Sequence, residues 1–129
     1  MEKMADASSA IDGGMLYTVM SSGKMSSFKA SFGTGLEYNF GSYKADFDVP
    51  SDGAFHQVYI PFSTFSNKWS AATGEPTTKC SPSNKEVCPS TKALKSLGSI
   101  GIWAEGAAGD FHLEVKSIAA VAGKPSDLY

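Results

Sequence analysis

Tyr43-Lys44-Ala45-Asp46-Phe47-Asp48-Val49 places an apolar residue at every second position, and the run closes on Pro50-Ser51-Asp52-Gly53. Side chains alternate between the two faces of a strand, so Tyr43, Ala45, Phe47 and Val49 share one face. Lys44, Asp46 and Asp48 fall on the other, which predicts a solvated outer surface. Pro-Ser-Asp-Gly is turn chemistry: proline presets φ, and glycine accepts the left-handed conformation. Residues 55–62 then resume the alternation, with Val58, Ile60 and Phe62 on one face. Pro61 belongs at the end of that strand, because it has no N–H to donate to a central ladder.

The same rhythm continues in both directions. Residues 15–20 form an apolar run closed by Ser21-Ser22-Gly23, and residues 24–32 form another, closed by Gly33-Thr34-Gly35. Residues 36–40 are a shorter run that ends at Gly41-Ser42. Residues 65–90 are a long polar stretch rich in Pro, Ser and Thr, and it holds both cysteines. Leu94 and Leu97, three apart, suit a single helical turn over 91–97. Ile100, Ile102 and Ala104 begin a further strand. After a turn at 106–110, Phe111, Leu113 and Val115 alternate with His112, Glu114 and Lys116. These last two runs read as a hairpin. No segment sustains three helical turns, so the fold class is all-β: seven or eight strands in an antiparallel β-sandwich or jelly roll. The domain spans 15–121, between a lead-in at 1–14 and a tail at 122–129.

The 129 residues suit one domain with a substantial core, and 42% hydrophobic residues with eight Phe, five Tyr and two Trp supply it. The net charge of −2 exerts no pull toward nucleic acid or acidic lipid. All 11 basic residues are Lys, and the missing Arg removes the usual bidentate grip on phosphate or guanine. No nucleic-acid partner is expected. No run approaches the roughly 20 apolar residues that span a bilayer, so membrane association would be peripheral. The first residues have no hydrophobic signal core behind them.

Cys80 and Cys88 enclose seven residues. Two cysteines with no nearby His do not make a four-ligand zinc site, and the spacing is not that of a Cys-x-x-Cys redox pair. The alternatives are a disulfide and two free thiols. The disulfide is the expectation, and it implies an oxidising compartment. His112 points outward beside Glu114, as a solvent-facing or interface histidine. His56 is read as a satisfied structural histidine. Asp46, Asp48 and Asp52 resemble an acid–base cluster, but Lys44 shares their face and a solvated surface is the simpler reading. Glu105 and Asp110 flank the turn at 106–109, where a ligand would reach them. Trp69, at the start of the long loop, and Trp103, opposite the core face, are the strongest binding candidates, because a Trp anchors sugar rings and protein surfaces. There is no Gly-x-Ser-x-Gly elbow, His-Glu-x-x-His pair or triad. No catalytic, cofactor or metal residue is assigned, and the function expected is binding rather than catalysis.

Three pieces in order resemble the CIA30 (complex I intermediate-associated protein 30) domain family. Phe55-His-Gln-Val-Tyr-Ile-Pro-Phe-Ser-Thr-Phe65 is similar to its aromatic-x-x-Val-x-Ile-Pro-Phe-Ser-x-Phe segment. Ile100-Gly-Ile-Trp-Ala-Glu-Gly106 with Gly109-Asp-Phe-His-Leu-Glu-Val-Lys-Ser-Ile118 is similar to its closing hairpin, and Tyr43-Lys-Ala-Asp-Phe47 to the preceding strand. The resemblance covers residues 15–121. It implies a galactose-binding-like jelly roll and a scaffolding or assembly role on protein subunits of a membrane bioenergetic complex, a photosystem or respiratory complex I. A carbohydrate-binding module is the alternative. The cysteine-bearing loop, with Trp69-Ser70, Thr73-Gly74-Glu75 and Val87-Cys88-Pro89, looks most like algal members. That implies a chloroplast thylakoid, on its lumenal side if the disulfide forms, with the mitochondrion as alternative. Family domains begin with further strands that have no counterpart here. Missing strands and a targeting peptide ahead of Met1 are therefore expected, and a missing strand would leave an open sheet edge that invites a partner.

Overall fold

In the computed structural model, residues 7–23, 27–34, 42–70, 72, 75–95, 97–103 and 111–125 are described. Among these residues, six strands make two three-stranded sheets: β1 (Gly14–Gly23), β2 (Ser27–Thr34), β3 (Ser42–Asp48), β4 (Phe55–Pro61), β5 (Leu97–Trp103) and β6 (Phe111–Val121). One sheet has the order β4-β1-β6 and the other β3-β2-β5. Every pairing is antiparallel. The architecture is the all-β antiparallel sandwich that the alternation predicts.

Tyr43, Ala45, Phe47 and Val49 are all buried, as their shared face requires. They meet the inward residues of β1 and β2, namely Met15, Tyr17 and Val19 with Phe28, Ala30 and Phe32. Phe32 stacks on Tyr43 with ring centroids 5.1 Å apart and meets Phe65 at 5.0 Å. Tyr17 lies 5.5 Å from Phe47 and donates its hydroxyl to the Gly101 carbonyl of β5 at 3.4 Å, so it spans the interior. Pro61 is the last residue of β4, the position its missing N–H allows.

The connections are tied down locally. Gly53 adopts φ +73°, and its N–H donates to Ser21 O at 2.9 Å. The Ser51 hydroxyl donates to Gly23 O at 2.9 Å, so the turn locks onto the end of β1. One helical turn, α1 (Thr91–Leu94), is capped by the Ser90 hydroxyl accepting from Ala93 N–H, and it buries Ala93 and Leu94. Part of the lead-in joins the core: Ala7 and Ala10 are buried, and Ala7 N–H donates to Leu94 O at 2.7 Å. A side chain at Gly14 would run into the Ile60 carbonyl, which explains glycine where β1 meets β4.

Two expectations are corrected. The runs at 100–118 do not form a hairpin: β5 pairs with β2, and β6 pairs with β1. The physical reason is the two central strands. β1 has β4 on one side and β2 has β3, and each still has an open side. Pairing β5 with β6 would leave both central ladders unfinished. The second correction is Lys44, which is only 2% exposed rather than part of a solvated surface. Asp46 and Asp48 are exposed as predicted. The strand expected at 36–40 and the turn at 106–110 lie outside the described residues.

Candidate functional site

The outer face of β3-β2-β5 is where the sequence candidates come together. Register places Ser31 between Lys44 and Gly101, and Lys29 between Asp46 and Trp103. The Trp103 indole leaves its own row, and its Nε1–H donates to Ser31 Oγ at 2.8 Å. A Cβ at Gly101 would stand 3.0 Å from Ser31 Oγ and 3.7 Å from Trp103 Nε1. The glycine therefore makes room for this contact. Lys44 Nζ lies 4.3 Å from the Trp103 ring centroid and 4.0 Å from that of Trp69. An ammonium between two indole faces is held by their negative quadrupoles, an interaction worth about 2 kcal/mol or more when water is excluded.

The long loop supplies Trp69 and clads this face. Ser66 and Lys44 exchange both backbone hydrogen bonds, at 2.9 and 3.0 Å, so the loop starts as a short extra strand on β3. Trp69 pairs with Pro76, and Ser70 N–H donates to Glu75 O at 2.8 Å. The Ser66 hydroxyl donates to Thr78 O at 2.6 Å, and Asn67 N–H to Val87 O at 3.0 Å. A Cys80–Cys88 disulfide braces the outer part of the loop, as expected. Trp69 is half-buried by this cover, whereas Trp103 remains 48% exposed.

Glu75 latches the loop to the sheet. Lys29 Nζ reaches Glu75 Oε1 at 2.9 Å and Asp46 Oδ1 at 3.1 Å, and Lys29 is only 7% exposed. Burial pulls the Lys29 pKa down, but hydrogen bonds to and attraction by Glu75 and Asp46 outweigh it and hold the value above 10.5. Burial raises Asp46, and its hydrogen bond with Glu75 adds to that rise. The Asp46 and Lys29 hydrogen bonds lower Glu75. The ammonium thus sits against a carboxyl pair whose members are pushed apart in acidity.

The remaining candidates are elsewhere. His112 and Glu114 are exposed on β6, in the other sheet, with Nε2 and Oε2 2.9 Å apart. The structure does not bring them to the tryptophans. His56 is satisfied by Asp52 at 3.0 Å. Glu105 and Asp110 lie outside the described residues. Among the described residues, no three His, Cys, Asp or Glu side chains gather as metal ligands, and no helix is long and apolar enough to cross a membrane. Lys29, Ser31 and Glu75 belong to the site but were not singled out by sequence. The one available signal is Lys29 and Asp46 as opposite charges on outward strand positions, and it becomes readable only once the β2–β3 register is known.

The outer face of β4-β1-β6 is different. Leu16, Thr18 and Met20 of the central strand stay half-exposed, and Phe55 is 45% exposed beside them. Register aligns Tyr59–Leu16–Ala119 and Phe55–Met20–Glu114 as rows across this face. Lys116 Nζ lies 5.8 Å from the Phe55 ring centroid. Comparison with known proteins finds no match to the chain among family models, curated proteins or solved structures.

Proposed function

We propose that this chain is a non-catalytic binding domain that docks on protein subunits of a larger membrane-associated bioenergetic assembly, a photosystem or respiratory complex I. The observation that carries the docking role is the outer face of β4-β1-β6, where the large apolar side chains Leu16, Met20, Tyr59 and Phe55 stand partly or half exposed. On this face two rows with apolar residues, Tyr59–Leu16–Ala119 and Phe55–Met20, flank a polar row of Gln57, Thr18 and Ser117, and such a mix of aromatic, Met and polar positions suits a non-obligate interaction surface. The class of assembly rests on the resemblance of residues 43–47, 55–65 and 100–118 to the CIA30 family. The Cys80–Cys88 disulfide supports an oxidising compartment. Within the resemblance this favours the thylakoid lumen over the mitochondrion. Co-migration with a membrane complex after mild detergent solubilisation is the test. Recovery of the chain solely as a free species sinks the reading.

A carbohydrate-binding role is the second reading, favoured by one observation. The half-exposed Trp103 indole borders a groove of about 310 Å³ floored by Ser31, Gly33, Ser99 and Gly101. An aromatic wall beside hydroxyls suits the apolar face and rim hydroxyls of a sugar ring. Binding on a glycan array that Trp103→Ala abolishes supports this reading; an empty array removes it.

A further inference from the structure

The loop that clads the outer face of β3-β2-β5 is a layer with its own small centre. Val87 is 2% exposed yet stands outside the main core cluster. Two stretches of the loop converge on residues 66–68. From the first, Thr78 O accepts the Ser66 hydroxyl at 2.6 Å, and Thr77 N–H donates to Lys68 O at 2.9 Å. From the second, Val87 O accepts from Asn67 N–H at 3.0 Å. The Cys80–Cys88 disulfide ties the two stretches covalently. The first stretch also holds the cover in place. Trp69 pairs with Pro76, and Ser70 N–H donates to Glu75 O, which sets Trp69 beside Lys44 and Glu75 beside Lys29.

This disulfide is open to attack. Both cysteines are partly exposed, and with Ser63, Ser81, Pro82 and Lys85 they line a surface cavity of about 460 Å³. Structural disulfides of secreted proteins resist reduction, whereas exposed ones are the labile and regulatory kind. The cysteines are eight positions apart, so the bond closes a short ring and gains little from loop entropy. Lys85 brings a cation to the cavity, and a nearby cation favours a thiolate. Neither cysteine belongs to the main core cluster, so breaking the bond removes no core contact.

We propose that Cys80–Cys88 is a redox clasp, which a dithiol reductant opens in the folded molecule to loosen the cover over Lys44 and Lys29. A thiolate of the dithiol attacks one cysteine sulfur and forms a mixed disulfide. The Cys80–Cys88 bond breaks, and the other cysteine leaves as a thiolate that takes a proton from water. The second thiolate of the dithiol then attacks the mixed disulfide and expels the remaining cysteine, which is protonated in the same way. Two electrons pass to the cysteine pair, and the reductant departs as its own disulfide. Residues 76–80 then keep their hydrogen bonds but lose their covalent tie, and the cover opens more often. The β1–β4 and β1–β6 ladders do not run through the loop, so the sandwich stays closed. The clasp acts in the same way whichever partner the molecule takes.

Treating the native chain with dithiothreitol in the absence of denaturant tests the proposal, with alkylation and intact mass reporting the fraction reduced. Full reduction of the folded chain is expected, and oxidised glutathione should close the bond again. In the reduced chain, amide exchange at Ser70 and Thr77 should rise about threefold or more, while the amides that pair β1 with β4 stay unchanged. Lys44 is 2% exposed in the oxidised molecule, and its acylation by an amine-directed label should rise by a similar factor. The double variant Cys80→Ser with Cys88→Ser should show the same exchange and labelling without reductant. A bond that dithiothreitol reduces only when denaturant unfolds the chain overturns the proposal. So does a reduced chain in which Ser70, Thr77 and Lys44 keep their protection, or one in which the β1–β4 amides open as well.

Discussion

The two central strands of this sandwich present opposite outer faces. On β2 the outward residues include the polar Lys29 and Ser31, and each of these two is only 7% exposed. On β1 they include Leu16 and Met20, and these are half-open. Exposure on this molecule therefore follows cover rather than polarity. The polar face is clad by a loop that adds one partner for each buried charge to the one the sheet provides: Trp69 beside Trp103 for Lys44, and Glu75 beside Asp46 for Lys29. Burying a cation without such partners costs several kcal/mol. The clad face is thus built for order, and the open face is left available for contact.

Breaking the cladding is the strongest way to test this contrast. Replacing both cysteines by serine should cost about 2.5 kcal/mol in denaturant unfolding, from the entropy of a loop of this size. Hydrogen exchange should rise at Lys68 and Thr77 and stay unchanged at the amides that pair β1 with β4. A uniform rise would mean that the loop is no separate unit. Lys44→Ala should cost about 2 kcal/mol, through lost cation–π contact and lost packing of its stem. Lys44→Met keeps the stem, so comparing the two by chemical denaturation separates the charge from the packing.

The Lys29 latch gives a smaller, pH-dependent effect. Its pKa is raised on folding, so its stabilisation is fully present below the unfolded value and is lost as pH rises through the folded one. Stability should therefore fall above about pH 10.5, and Lys29→Met should flatten that fall. With both carboxylates half-exposed, the difference should not exceed about 1 kcal/mol. On the acid side the two carboxylates oppose each other. Glu75, lowered, withdraws stability as pH falls through its folded pKa, whereas Asp46, raised, returns some. Acid titration monitored by Trp fluorescence should therefore show a shallow response. The smallest effect on folding belongs to the open face. Phe55→Ser should change stability by less than about 0.5 kcal/mol, yet it should reduce co-migration with the proposed membrane partner several-fold. Unchanged co-migration would remove this face from the docking role.

Sandwich class, the inward set Tyr43, Ala45, Phe47 and Val49, the terminal position of Pro61 and the disulfide were all legible in the sequence, because each depends on neighbours close along the chain. The partnering of β5 and β6 was not. Alternation tells which residues face the core but carries no information about which strand lies alongside. Two adjacent alternating runs look like a hairpin until the needs of the central strands are counted. The burial of Lys44 escapes local pattern for a related reason. Its neighbours Asp46 and Asp48 are exposed as read, but Trp69 and Trp103 reach Lys44 from 25 and 59 positions away in the chain, and no local pattern announces them. Of the site, the two tryptophans stood out by residue type, and the lysine that joins them did not.

The central place of β1 has a consequence for how the chain acquires its shape. Gly14, among the earliest residues of the sandwich, must align with Val121, among the last. Bringing such distant segments together costs loop entropy before any contact compensates for it, and folds dominated by such pairings form slowly. During synthesis, the first sheet therefore waits with one side of β1 unsatisfied until β6 has emerged. For that interval the open flank is a hazard for aggregation, and the time spent there, rather than the final stability, sets how much folded protein is recovered at low temperature and dilution compared with a rapid, concentrated refold.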